Sequence, residues 1–158
     1  MFDGISKTYL ESMVLAISTE KDSPKNLFES YTFNFNYHEA DSQNVNKLSD
    51  FDIVDGRGYN IHSVSAADAK RSMQLLFRRT VYITQNLDPL PTKRYVFMKL
   101  FWNDCTPQNY EPPFFRPAKA NENLTYNTGD TQMPPICYDC GTMYSGWHGF
   151  VETLCKYH

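Results

Sequence analysis

Two short motifs, one a cysteine pair and one a cysteine–histidine pair, carry the most chemistry in this sequence. Cys137-x2-Cys140 is followed, 14 residues on, by Cys155-x2-His158. Three thiolates and an imidazole at such spacings can close a tetrahedral zinc site. Each half would have to turn back in a tight knuckle. Gly141 allows that after Cys140, but Leu154-Cys155-Lys156-Tyr157-His158 continues a strand-like stretch. The plainer expectation is four free cysteines, with Cys105 the remaining one, in a reducing compartment. A thioredoxin-like site would need Cys137-x2-Cys140 to open a helix, yet the motif follows Pro134-Pro135 with no helical pattern behind it. There is no nucleophile elbow, phosphate-binding glycine loop or paired metal-binding histidines. His38, His62, His148 and His158 are scattered and read as surface or packing residues. The sequence therefore points to a non-enzymatic protein that uses no cofactor. A zinc-binding regulatory fragment built on Cys137, Cys140, Cys155 and His158 is the alternative from a different class.

Binding chemistry is the other resource. Of the 158 residues, 15% are aromatic, with 11 Tyr and 11 Phe. Rings such as Tyr144 and Trp147, read as exposed on an irregular segment, supply contact area at low entropic cost. The clusters Phe33/Phe35 and Phe97/Phe101 read first as core. Lys70, Arg71, Arg78 and Arg79, with Lys93 and Arg94, could meet an acidic partner, although a solvated helix face explains them as well. A net charge of −3 argues against sequence-independent DNA binding. No apolar run approaches the roughly 18 residues of a membrane span, and Met1-Phe2-Asp3-Gly4 does not open a signal peptide. Asn123-Leu124-Thr125 fits a glycosylation pattern, which is silent without a secretory signal.

The elements that must position these residues follow from periodicity. Ile5 to Leu10 reads as the end of a helix, and Met13–Ile17 as a short strand. Asp22-Ser23-Pro24-Lys25 reads as a turn. Tyr31, Phe33, Phe35 and Tyr37 alternate with Thr32, Asn34 and Asn36, giving a strand with one apolar and one wet face and, with its predecessor, a hairpin. Residues 38–64 are polar and read as a long surface loop. Ser65 and Asp68 form a capping-box signature ahead of a helix. Its buried stripe is Ala69, Met73, Leu76, Thr80, Ile83 and Leu87, and Asp88-Pro89-Leu90-Pro91 ends it. Tyr95–Trp102 is a second strand, apolar on the Val96/Met98/Leu100/Trp102 face and mostly apolar on the other. Such a strand is expected to be covered on both sides, with the helix over one of them, and a charge at Met98 is expected to abolish folding. Asn103–Pro135 is proline-rich and reads as an irregular wrap, and Trp147–Leu154 returns to β-like alternation.

Longer motifs resemble the meiotic chromosome-axis HORMA proteins. They are Lys7-x-Tyr9-Leu10-x3-Val14-Leu15-Ala16, Glu29-Ser30-Tyr31-x-Phe33-x-Phe35-x-Tyr37, Leu87-Asp88-Pro89-Leu90-Pro91, Phe97-Met98-Lys99-Leu100-Phe101-Trp102-Asn103-Asp104 and Thr106-Pro107-x2-Tyr110-x-Pro112-Pro113-x-Phe115. The resemblance spans about residues 5–117. It implies an α+β fold, a HORMA-like antiparallel sheet with helices on one face and a C-terminal safety-belt segment. The whole of 1–158 would be a single partial domain. Residues 1–102 would form a core lacking the first helix, which would leave the apolar sheet face partly bare. Residues 103–158 would form the belt. The belt would close over a closure-motif peptide that adds as a strand beside 95–102. Tyr95, Phe97, Lys99, Phe101, Tyr144, Trp147 and Phe150 are the expected peptide-binding residues. The implied partners are closure motifs of axis proteins or related HORMA proteins, and an AAA+ remodelling ATPase with its adaptor. Chromatin association would be indirect, with no membrane, and the location nuclear, on meiotic chromosomes, serving recombination and synapsis. A checkpoint or polymerase-adaptor HORMA protein is the alternative within the fold.

Overall fold

A computed structural model describes residues 2–21, 27–37, 65–118, 134–145 and 148–157. Helix α1 (Phe2–Ser6) leads into strands β1 (Leu10–Ser18) and β2 (Leu27–Tyr37). Helix α2 (Ala66–Gln85) follows, then β3 (Tyr95–Trp102), β4 (Ile136–Tyr144) and β5 (His148–Lys156). The five strands form one sheet in the order β3-β1-β2-β5-β4, and every pairing is antiparallel.

Local sequence fixes the helix ends. The Ser65 hydroxyl accepts from the Asp68 N–H at 3.2 Å, and the Asp68 carboxylate accepts from the Ser65 N–H at 3.3 Å, as the capping-box signature predicts. At the other end Asn86 caps α2, its N–H donating to the Ile83 carbonyl. Helix α1 stops earlier than expected. Thr8 adopts φ 59°, and the Tyr9 and Thr8 N–H groups donate to the carbonyls of Gly4 and Ile5. That pair of hydrogen bonds around a left-handed residue closes the helix, so Leu10 belongs to β1 rather than to a helix end.

Register sorts the side chains. The pairings Leu15↔Tyr31 and Leu15↔Met98 put these three on one face, and Tyr31↔Leu154 and Tyr138↔Leu154 extend it to β4. Helix α2 packs on this face, chiefly against β4. Leu76, Cys140 and Leu154 are the buried centre, and Tyr31, Met73, Ile83, Leu87, Tyr138, Met143 and Phe150 pack around them. The stripe expected of the helix is thus the stripe it buries, while Lys70, Arg71, Gln74 and Arg78 are exposed. On β2 the wet-face residues Asn34 and Asn36 are exposed as anticipated.

Two expectations are corrected. The helix does not cover β3: Val96 is 66% exposed and Met98 42% exposed on the helix side of the sheet. A charge at Met98 would therefore reach water, and the reason for expecting it to abolish folding is gone. The second correction is β4, which follows the Asn103–Pro135 stretch and places Tyr144, read as lying on an irregular segment, in a strand. It is an edge strand bent by a bulge between Asp139 and Gly141, with Gly141 at φ +123°. The turn at residues 22–25 and the loop at 38–64 lie outside the described residues. No helix among those described is long and apolar enough to cross a membrane.

Candidate functional site

The tail beyond β3 is fastened at two places, on opposite edges of the sheet. Its root is held against the first residues of the chain. The Asn103 side-chain amide donates to the Thr8 carbonyl at 2.6 Å, and the Thr106 hydroxyl donates to the Tyr9 carbonyl at 3.3 Å. Tyr110 stacks edge-on against both Tyr9 and Trp102, with ring centroids 5.2 and 5.1 Å apart, and donates its hydroxyl to Asp3 at 2.8 Å. Its phenol is raised by desolvation and by the neighbouring Asp3 carboxylate. Gly4 is needed beneath this cluster, because a Cβ there would come within 2.7 Å of the Trp102 ring. Asn103, Thr106 and Tyr110 thus hold the root down.

The far end of the tail returns as the β4–β5 hairpin. β5 seats on β2 over nine paired residues, from Glu29↔Lys156 to Tyr37↔His148. A buried ion pair fixes one end: Lys156 Nζ lies 3.1 Å from Glu29 Oε1 and donates to the Asp88 carbonyl at 3.3 Å. Tyr31 donates to the second Glu29 oxygen at 2.9 Å, and burial raises its phenol well above the usual range. Higher up, the Thr80 hydroxyl lies 2.9 Å from the Glu152 carboxylate. Burial raises the Glu152 carboxyl, and the Thr80 bond partly offsets that shift.

Between root and seat the chain passes from one sheet edge to the other. β3 remains an outermost strand, paired with β1 alone among the described residues. Tyr95, Phe97, Lys99 and Phe101 share the face away from α2, opposite Ser18, Ala16, Val14 and Ser12 of β1. They are all partly exposed. Tyr144 and Phe150 are not beside them, because β1 and β2 intervene before β5 is reached. Tyr144 is in a strand, not on an irregular segment, and Phe150 lies on the core side against Phe33 at 5.7 Å and Phe35 at 5.8 Å. Trp147 lies outside the described residues. Sequence reasoning missed the Tyr9–Trp102–Tyr110 cluster and the Lys156–Glu29 pair as the two fastenings. The first had a signal in the Thr106-Pro107-x2-Tyr110 motif, and the second had none.

The cysteines do not form a four-ligand site. Cys137 and Cys155 are directly opposed in the β4–β5 ladder and are joined as a disulfide, which corrects the expectation of four free thiols. Cys140, three residues along the strand, points to the other face and is buried under α2. Desolvation and the Glu152 charge raise its thiol, so it stays protonated. His158 lies outside the described residues. No group of three or more His, Cys, Asp or Glu among those described is placed to hold a metal.

An antiparallel sheet with an outermost strand beside the root of its C-terminal arm, and that arm's hairpin at the opposite edge, defines a clasp-like α+β fold. The HORMA domain model matches residues 1–148, and the chain belongs to that family. HORMA domain-containing protein 1 of Macaca fascicularis is 34% identical over 140 residues, covering 84% of this chain and 34% of the relative. Meiosis-specific protein HOP1 of Saccharomyces cerevisiae is 30% identical over 150 residues, covering 94% and 24% respectively. The chain therefore spans about a third or less of these relatives' length. Among solved structures, C. elegans HTP-2 bound to the HIM-3 closure motif superposes with a TM-score of 0.71 at 19% identity, covering 98% of this chain and 63% of that one. A chain of the mitotic checkpoint complex gives a TM-score of 0.62 at 10% identity, covering 99% and 67%. At these identities the structural likenesses establish the fold alone.

Proposed function

We propose that the chain is a peptide-capturing adaptor of the meiotic chromosome axis, acting without catalysis in recombination and synapsis. The partner is an extended segment that pairs with the outer side of β3, so that backbone hydrogen bonds supply affinity and flanking side chains supply selectivity. Tyr95, Phe97, Lys99 and Phe101 flank one face of the incoming strand. Phe150 and Tyr144 serve the seating of the hairpin. The carrying observation is where the tail's two described ends lie. The tail is rooted beside β3 and seated beyond β2, so a segment lying along β3 would be enclosed by the chain. Closure motifs of axis proteins or of related HORMA proteins fit this role, which the closure-motif complex of HTP-2 and the likeness to meiosis-specific HOP1 support. Release from such an enclosure requires the hairpin to leave β2, a task suited to an AAA+ ATPase with its adaptor. The location is the nucleus, on meiotic chromosomes, with chromatin reached through partners.

The test is selection of binders from a random dodecapeptide display library, followed by amide hydrogen exchange with the selected peptides. Slowed exchange within Tyr95–Trp102 is the expected result. Binders that slow exchange only elsewhere, or the absence of binders, would refute the reading.

A further inference from the structure

The β4–β5 hairpin is tied at the end opposite its turn. The turn lies at Ser145–His148, where the Ser145 N–H donates to the His148 carbonyl at 2.9 Å. At the other end Cys137 and Cys155 face each other across the ladder and are bonded, closing a stretch with a sequence separation of 18. The next pair is Ile136↔Lys156, and Lys156 carries the buried bond to Glu29 of β2. Tyr157 adds a hydroxyl contact to Ser30 at 2.9 Å and an N–H bond to the Phe28 carbonyl at 2.9 Å. The two strands of the hairpin are therefore held very differently. β5 lies between two strands and has a buried ion pair at this end. β4 is the outermost strand, its ladder with β5 is broken by the Asp139/Gly141 bulge, and the disulfide is its one covalent tie there.

We propose that Cys137 and Cys155 form a redox modification site that sets whether the C-terminal hairpin moves as one body. With the bond closed, β4 cannot separate from β5 at Cys137, and the hairpin leaves β2 only by breaking the Lys156–Glu29 pair as well. With the bond open, β4 frays from its first residues up to the bulge while β5 stays seated. The site is built for exchange with small disulfides. Both sulfurs lie on the sheet face away from α2, and Cys137 is exposed. Closure from the dithiol takes two steps with glutathione disulfide. One thiolate attacks a glutathione sulfur, releasing glutathione thiolate and leaving a mixed disulfide. The second cysteine, as thiolate, then displaces the other glutathione. Two protein thiols are oxidised, one glutathione disulfide is reduced to two glutathiones, and both thiol protons pass to the released thiolates. A dithiol reductant runs the sequence backwards. Cys140 is excluded because it is buried on the other face.

The experiment needs no ligand. The whole chain is equilibrated with glutathione disulfide or with dithiothreitol, the free thiols are alkylated and mapped by peptide mass spectrometry, and amide exchange is followed over Ile136–Tyr144. The expected result is a Cys137–Cys155 linkage in the oxidised sample. Exchange of amides 136–139 should then be at least about tenfold slower than in the reduced one, with Cys137→Ser and Cys155→Ser insensitive to both reagents. Two alkylated cysteines at 137 and 155 after oxidation, or the same exchange in both states, overturns the proposal. Its consequence for partner retention rests on the peptide-capture reading. That part is tested with a peptide from the display selection, which should dissociate more slowly from the oxidised chain. A hairpin that stiffens on oxidation in a chain that captures no peptide would sink the capture reading and leave the redox site standing.

Discussion

The two halves of the sheet are built from similarly apolar strands and end in opposite states. On the β2–β5–β4 side, α2 covers the face, Leu154 is 0% exposed, and the buried polar groups Glu29, Glu152 and Lys156 are each partnered. On the β1–β3 side Val96 and Met98 stand in water, and on α2 itself Phe77 (62% exposed) and Val81 (50% exposed) are bare. The difference teaches that apolar composition does not determine burial. Leu10 and Ala16 of β1 are still buried, so the seat of α2, packed chiefly against β4, decides only which strands are covered on the helix side of the sheet.

The sharpest way to break this contrast is to unpair the covered half. Lys156→Met leaves Glu29 buried without its cation and is expected to cost about 3–5 kcal/mol. Adding Glu29→Met should restore most of that loss, as read from urea midpoints. Next comes a matched pair of truncations. Leu154→Ala should cost about 2–5 kcal/mol, while Val96→Ala should stay within about 0.5 kcal/mol of wild type. Met98→Asp belongs with Val96→Ala and should still fold, as judged by circular dichroism. Equal losses at Leu154 and Val96 would erase the distinction between the halves. Ser65→Ala removes the helix cap and should cost about 1 kcal/mol, visible in the melting temperature.

The smallest effect is a slope. The Glu152 carboxyl is raised on folding because it is buried, so the native state holds its proton to higher pH than the unfolded chain does. Below the ordinary carboxylate range both states are protonated and the group contributes no slope. As the pH climbs from there through the folded value, the unfolded state releases its proton first, and stability falls. Glu152→Gln should remove that decline while keeping an acceptor for Thr80. An unchanged stability–pH profile in the variant would show that the carboxylate is not the source.

Legibility in the sequence divides along the same line. Helix α2 and its cap were readable because a 3.6-residue stripe and a Ser65/Asp68 pair are local signals, and β2 because Tyr31, Phe33, Phe35 and Tyr37 alternate without interruption. β4 was not. Cys137-Tyr138-Asp139-Cys140-Gly141 has weak alternation and a bulge, and its pairing partner is supplied from farther along the chain. In β5 the buried face reads Phe150, Glu152, Leu154, Lys156, and two charges in it hide the pattern that would have placed Phe150 in the core. Burial of those charges depends on Thr80 and Glu29, more than 70 residues away in sequence. The bareness of β3 was hidden from periodicity, since a strand apolar on both faces looks the same whether or not a helix reaches it, and only the family-like motifs, through the absent first helix, implied a partly bare apolar face. The edge itself could be anticipated only through the longer family-like motifs.

The aromatic packing at the tail's root has a practical consequence. The chain has two tryptophans, Trp102 and Trp147, and Trp102 sits edge-on to Tyr110 with its ring tight over Gly4. The indole at 102 is thus an optical gauge already wired to the place where the arm begins. In a Trp147→Phe background, lifting that arm would shift the emission of a single fluorophore, turning opening and closing into a colour change that a stopped-flow instrument can time.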